Sequence, residues 1–264
     1  MKEQSMTQQT GRFDLQGRVV IITGGGKGIG KVYAEEFARA GASVVAADID
    51  DVAANAVAAH ITESGHQAMG VRLDVADAAS CEAMAQAVLA RYGMIDGLIN
   101  NAALMSALPR RSWTEIPPEE WDSVMAVNLR GMFLCCRAVF PTMKQRGYGK
   151  IVNISSSRIW EGSPNRLHYT TSKAGVVGFT RALAREVGEF GVTVNAVTPG
   201  FTLSETQLQS SDTSYLKQRS YTEQAIKRAQ VPNDLVGAVM FLTSAASDFI
   251  SGQTLNVDGG KSMH

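Results

Sequence analysis

Tyr169 and Lys173 stand four residues apart in the stretch LHYTTSK. On a helix that spacing puts both side chains on one face, one turn from each other. A phenol with its ordinary pKa of ~10 is a poor base at neutral pH. A neighbouring ammonium favours the phenolate and brings the value toward the working pH. The pair is thus either a solvated surface contact or half of a proton-transfer device, and seven residues do not decide between them. Ser156 lies thirteen residues before Tyr169, in NISSS, after an apolar run. Its hydroxyl could hydrogen-bond a substrate oxygen and stabilise charge developing there. The flanking Ser155 and Ser157 should face the other way, because side chains alternate along a strand. Asn128 sits inside a long helical stretch, where an amide that competes for backbone bonds is uncommon. His168, beside Tyr169, would point about 100° away on a helix and is expected to be structural or substrate-facing.

A second group of residues suits a phosphate. TGGGKGIG runs from Thr23 to Gly30, between an apolar run and a helical pattern. Glycines let backbone approach a ligand closely, and a helix N-terminus offers free N–H groups to an anion. Gly24, Gly28 and Gly30 give G-x-x-x-G-x-G, with Lys27 and Ile29 among them, rather than the common G-x-G-x-x-G fingerprint. A merely tight turn would also explain them. Eighteen residues past Gly30, Asp48 ends the second apolar run. A carboxylate there accepts both ribose hydroxyls of NAD and repels the 2′-phosphate of NADP. Lys27 pulls the other way, since a cation in the loop could meet that phosphate. NAD is the expected cofactor, because Asp48 would face the ribose directly.

These groups need a frame. GRVVIIT, ASVVAAD, AMGVRLD, IDGLINNAA, GKIVNISS, VTVNAVTPG and the short GQTLNVDGG read as strands. Helical periodicity separates them, including a long stretch from Pro118 to Arg146 and another from about His168 to Glu189. Strands alternating with helices mean parallel βαβ units. The expected class is α/β, a single-domain doubly wound Rossmann fold with a parallel sheet flanked by helices. It should occupy residues 13–264, behind a flexible polar tail at 1–12. Leu203 to Gln224 is polar, weakly periodic and long for a connection, so an active-site lid is expected there.

Composition narrows the partners. The 264 residues suit one large domain. Lys plus Arg and Asp plus Glu number 25 each, so no global field favours nucleic acid or an anionic membrane. Cys81, Cys135 and Cys136 lack metal-ligand spacing and read as buried thiols in a reducing compartment, with no metal expected. The start lacks the apolar core of a signal peptide and no apolar run reaches ~18 residues, so a cytoplasmic location is expected.

From about Leu15 to the C-terminus the chain resembles the short-chain dehydrogenase/reductase family. The motifs come in that family's order: TGGGKGIG, LDV with Asp74 and Val75, NNAA from Asn100, VNLRG with Asn128, NISSS with Ser156, YTTSK, TPGFT from Thr198 and GQTLNVDGG. Ala103 departs from a usual glycine and Ser204 from a common threonine, and both touch local cofactor geometry. The resemblance implies cofactor binding by Gly24, Lys27, Gly28, Ile29, Gly30 and Asp48. Asp74 and Val75 would hold the adenine, while Asn101 and Ala102 would line the cofactor cleft. Pro199, Gly200 and Thr202 would sit beside the nicotinamide. Asp74 and Asn101 are also ordinary strand-end and turn residues.

In such an enzyme the cofactor carries a hydride and the protein supplies the base. By resemblance Tyr169 is that acid/base, and Lys173 lowers its pKa and holds the nicotinamide ribose. Ser156, at the family's spacing from Tyr169, polarises the substrate oxygen, and Asn128 holds a water on a proton path from Lys173 to solvent. The implied substrate is a secondary alcohol or ketone, nearest to bacterial NAD-dependent dehydrogenases of the 1-phenylethanol type. Met105, Ile159, Trp160 and Phe201 would line an apolar chamber for it. The family's enoyl reductases use a longer Tyr-to-Lys spacing than this one. A 3-oxoacyl-[acyl-carrier-protein] reductase using NADPH shares the motifs, and a non-catalytic dinucleotide sensor is the reading from another class. The family is commonly a homotetramer, paired through the two long helices and the C-terminal strand.

Overall fold

The computed structural model of the chain describes residues 14–205, 208, 218 and 222–263. The tail expected at 1–12 and most of the stretch expected as a lid lie outside them. Seven apolar runs form strands. They are β1 (Val19–Thr23), β2 (Ser43–Asp48), β3 (Ala68–Arg72), β4 (Gly97–Asn100), β5 (Gly149–Ile154), β6 (Val192–Pro199) and β7 (Thr254–Val257). All pair in parallel in the order β3-β2-β1-β4-β5-β6-β7. The chain moves outward from β1 to β3, then returns to the other side of β1 with β4. That reversal makes a crevice at the carboxyl ends of β1 and β4, where open α/β sheets bind ligands.

Side-chain alternation along β1 divides the core into two layers. Val19 and Ile21 pack with α3 (Ala78–Tyr92), the second half of the long helix, and α7 (Leu167–Val187). Val20 and Ile22 pack with α1 (Gly28–Arg39), α2 (Asp51–Glu63) and α8 (Asn233–Thr243). This double covering explains why the strands are near-continuous apolar runs. The three cysteines are free and buried, as their composition suggested, and Cys81 Sγ lies 3.7 Å from Cys135 Sγ.

The stretch from Pro118 to Arg146 is continuous helix but not uniform. It runs as α4 (Pro118–Met125), one π-helical turn (Ala126–Arg130) and α5 (Gly131–Arg146). The turn contains Asn128, the residue that suits a regular helix least. By length and mean hydropathy this helix could cross a membrane. Here Leu134, Cys135, Val139 and Met143 bury its apolar face against the sheet. A short α6 (Arg158–Glu161) follows β5.

At the opposite end of the sheet Asp96 ties three segments. Its carboxylate accepts the Val19 N–H at 2.9 Å, Arg146 at 2.9 Å and Arg18 at 3.3 Å, and it is 2% exposed. Asp96→Ala leaves a buried N–H without its acceptor and two guanidinium groups without their anion. The expected loss is about 2–4 kcal/mol, read as a lower urea midpoint at unchanged slope.

Candidate active site

The glycine loop is built by close approach. Gly24 and Gly28 adopt φ of 65° and 56°, the left-handed region that glycine enters without strain. A Cβ at Gly30 would lie 2.0 Å from the Gly24 carbonyl oxygen, so only glycine lets α1 pack on the loop. Lys27 precedes α1 and makes no side-chain cap, so the first-turn N–H groups stay with the loop's open side. Ile29 is a partly buried residue of that turn, packed against the layer of Val20 and Ile22. Asn101 closes the loop from below. Its Nδ2 donates to the carbonyls of Thr23 at 3.0 Å and Gly24 at 3.3 Å. Thr23 Oγ1 accepts the N–H of Asn101 and of Ala102, each at 3.0 Å. Asn101 and Ala102 therefore hold the strand ends of β1 and β4 together and bound the crevice through backbone.

Asp48 ends β2 beside this loop. One carboxylate oxygen accepts the Gly26 N–H at 2.9 Å and the other the Asp50 N–H at 3.0 Å. The carboxylate is thus fixed facing the glycines with lone pairs to spare. Lys27 is exposed, but its ammonium is engaged, lying 2.5 Å from Asp50. That contact holds Lys27 above and Asp50 below its ordinary pKa. The Asp74 carboxylate accepts the Ala76 N–H at 2.9 Å, the turn role its type suggested. Val75 is buried against Gly131, where a Cβ would come within 2.8 Å of its side chain. On the far side Pro199 ends β6. Gly200 bonds to Val257, and buried Thr202 meets Gln230 Oε1 at 3.2 Å. These residues surround one crevice, and the cradle that a Cβ would fill fits a dinucleotide.

The polar residues suspected of catalysis converge at the carboxyl end of β5. Lys173 is buried on α7 and donates to the Ile154 carbonyl at 2.7 Å, with Nζ 5.9 Å from the Tyr169 ring centroid. Burial lowers its pKa from 10.5 to about 8. Tyr169 is buried one turn before it. Burial pushes the phenol above its ordinary value, against downward pulls from a Ser156 hydrogen bond and the charges of Arg158 and Arg166. The phenol thus lies above its ordinary value instead of below it, because burial outweighs the downward pulls, and those come from Ser156, Arg158 and Arg166.

Ser155 and Ser157 turn to other partners than Ser156. Ser155 Oγ donates to the Lys173 carbonyl at 2.6 Å and Ser157 Oγ to Glu161 at 2.9 Å. Strand alternation explains only part of this, because β5 ends at Ile154. Asn128 Oδ1 accepts the Leu104 N–H at 2.7 Å, and its Nδ2 donates to Ser172 Oγ at 3.1 Å. Ser172 passes the bond to the Tyr169 carbonyl at 2.7 Å. Asn128 and Lys173 both line a cavity of about 10 Å³, close to the size of one water site. His168 is structural. It is fully buried, with Nε2 3.0 Å from Glu120.

Of the residues expected to form the chamber, Met105 packs with Leu108, Val124 and Tyr169. Trp160 directs its indole N–H to Thr198 Oγ1 at 3.4 Å, and Ile159 and Phe201 are partly buried. Sequence reasoning passed over Thr23, Ser172, Arg158 and Arg166. The first two lie inside motifs already noted, but nothing in their spacing signals what they bond to.

Comparisons with known proteins find dehydrogenases and reductases. The family model described as enoyl-(acyl carrier protein) reductase matches residues 24–262. The (2S)-[(R)-hydroxy(phenyl)methyl]succinyl-CoA dehydrogenase subunit BbsD of Thauera aromatica is 39% identical over 94% of this chain and 98% of its own. A 3-oxoacyl-[acyl-carrier-protein] reductase of Synechocystis is 36% identical over 94% of this chain and 98% of its own. Among solved structures, gluconate 5-dehydrogenase from Burkholderia cenocepacia J2315, in complex with NADP and tartrate, superposes with a TM-score of 0.89. It is 35% identical and the match covers 95% of this chain and 97% of that one.

The lysine's depressed pKa has a measurable sign. Between about 8 and 10.5 the folded chain binds fewer protons at Lys173 than the unfolded chain does. Its contribution to stability therefore rises with pH through that window, and its burial cost is complete below it. Lysine Cε–H NMR should show one group titrating near pH 8 that is absent from Lys173→Met. A spectrum in which every lysine titrates above pH 10 contradicts this account.

Proposed function

The chain belongs to the short-chain dehydrogenase/reductase family, and from that premise we propose that it is an NAD-dependent oxidoreductase interconverting a secondary alcohol and a ketone. The observation that carries this is the gathering of Ser156, Tyr169 and Lys173 at the crevice mouth, with Asn128 behind them. Ser156 hydrogen-bonds the substrate oxygen and holds the charge that grows on it. Tyr169 takes the hydroxyl proton during oxidation and returns it during reduction. Lys173 keeps its ammonium beside the phenol and donates to the ribose hydroxyls. Asn128 orients a water in the cavity it shares with Lys173, which passes the proton outward. The nicotinamide, when bound, supplies the hydride acceptor.

Cofactor choice rests on commitments already made within the chain. Asp48 faces the loop and repels a 2′-phosphate, while Lys27 is engaged with Asp50. Gly24, Gly28 and Gly30 form the phosphate cradle with the start of α1, and Asp74 with Val75 flank the adenine. Pro199, Gly200 and Thr202 border the nicotinamide. The working assembly is a cytoplasmic homotetramer. Phe133 on α5, Leu167 on α7 and Leu255 on β7 support it as exposed apolar side chains on the elements through which the family pairs.

The second reading is an NADPH-dependent 3-oxoacyl-[acyl-carrier-protein] reductase, favoured by the Synechocystis relative. Enoyl reduction is less well supported, because the Tyr169–Lys173 spacing suits alcohol–ketone chemistry. Tyr169→Phe should lower kcat/KM by about 100-fold or more on any accepted alcohol while NADH binding, read by fluorescence, persists. Unchanged turnover removes the tyrosine from the reaction. Wild type should prefer NADH, and Asp48→Ser should move the NADH/NADPH ratio of kcat/KM toward NADPH by roughly 10-fold or more. A wild-type preference for NADPH would favour the second reading.

A further inference from the structure

Two arginines that the proposed reaction does not use stand beside Tyr169. Arg158 opens α6, two residues after Ser156, and its N–H lies 3.3 Å from Ser156 Oγ. Arg166 immediately precedes α7, three residues before Tyr169. The charges of both reach the phenol. Arg166 is held on the apolar cluster that contains Tyr169, not out in solvent. Its Nη2 donates to the Leu108 carbonyl at 2.7 Å, and its Nη1 meets Met105 Sδ at 3.4 Å.

A guanidinium carries five donors in a planar fork, and thioether sulfur is a weak acceptor. Arg166 Nε is buried and has no hydrogen-bond partner among the described residues. No carboxylate among them lies within ion-pair distance of Arg166 either. The acid at the end of α6 and the acid that meets His168 are committed elsewhere. Glu161 bonds Ser157, Ser163 and Lys261. Glu120 bonds Arg111 and His168. Arg110, exposed on the segment that carries Leu108, adds a third positive charge that acts on Arg166. Burial and repulsion from Arg110 and Arg158 both lower the Arg166 pKa. A partly desolvated guanidinium that keeps a buried N–H without a partner is costly unless an anion joins it.

Resting on the reaction proposed above, we propose that Arg166, with Arg158 and Arg110 beside it, binds a carboxylate carried by the substrate. The substrate is then a hydroxy acid and the product the corresponding keto acid. Arg166 touches Met105, one of the residues expected to line the apolar chamber, and a carboxylate fits the guanidinium fork better than any neutral group does. The arginine sets which alcohol is accepted; the proton transfer stays with Tyr169.

The test compares 3-hydroxybutyrate, mandelate and gluconate, each against its uncharged methyl ester, with NAD and NADP. Wild type should prefer at least one acid to its ester. Arg166→Met should cut that acid-over-ester ratio of kcat/KM by roughly 30-fold or more, with Arg166→Lys between the two. Melting temperature and NADH affinity of each variant verify the fold. Calorimetry of the same acids with the enzyme–NADH complex reads recognition without turnover. If the ratio is the same in wild type and Arg166→Met, the proposal is wrong. If alcohols are oxidised in a Tyr169-dependent way with no preference for acids, the carboxylate site falls and the reaction stands. If nothing is turned over but an acid binds and Arg166→Met abolishes that binding, the site stands and the reaction falls. Neither turnover nor binding overturns both.

Discussion

An ammonium buried at the carboxyl edge of a parallel sheet is the constraint on which the rest of the site depends. Among the described residues the Ile154 carbonyl is the hydrogen-bond partner that compensates Lys173 for its loss of water, and burial lowers its pKa to about 8. For that carbonyl to be available, β5 must end at Ile154 instead of continuing its ladder. For the lysine to reach it, α7 must cross beneath the strand end in one register. The Ser155 bond to the Lys173 carbonyl fixes that register from the other side. Tyr169 then has no freedom left, because one helical turn sets its place relative to Lys173. Two strand-end residues and one helix thus fix two titratable groups at once.

The same economy explains the π turn. An extra residue in the helical repeat widens it locally and frees a carbonyl. Asn128 occupies that turn and spends its amide on Leu104 and Ser172. Through Ser172 the long helix is clamped to the backbone of Tyr169. These are side-chain bonds, and through them a sheet-covering helix also supports the site. Asn128 also lines the small cavity that it shares with Lys173.

Much of this was legible in the chain because its causes are local. The seven strands follow from apolar runs, and the glycine loop from residues that only a tight approach requires. Asn128 was visible as a residue out of place, although nothing nearby said that its helix would widen instead of break. What stayed hidden was decided by distant parts of the chain. Tyr169 was expected below its ordinary pKa because Lys173 is its neighbour on the helix. The burial that raises it comes from segments around Leu108 and Val124, remote in sequence. Arg166 carries no periodic or motif signal, and its meaning depends on what the loop after β4 places against it. Asn101 shows the reverse case, a motif residue whose amide is spent on the loop itself.

Charge at a position therefore says less than the bonds that charge has already formed. Lys27 and Asp48 gave opposite indications of cofactor as bare residue types. In the fold they are not equivalent. Asp48 is held by two backbone N–H groups, which orient its carboxylate toward the loop at no cost in side-chain freedom. Lys27 is exposed and tied to Asp50 in a contact that solvent screens. A 2′-phosphate would have to draw Lys27 off Asp50 and still meet the fixed carboxylate of Asp48. Removing Lys27 leaves that repulsion in place, whereas removing Asp48 removes it and leaves Lys27 held by Asp50 alone. On the function proposed above, that asymmetry makes the anchored acid the residue that discriminates.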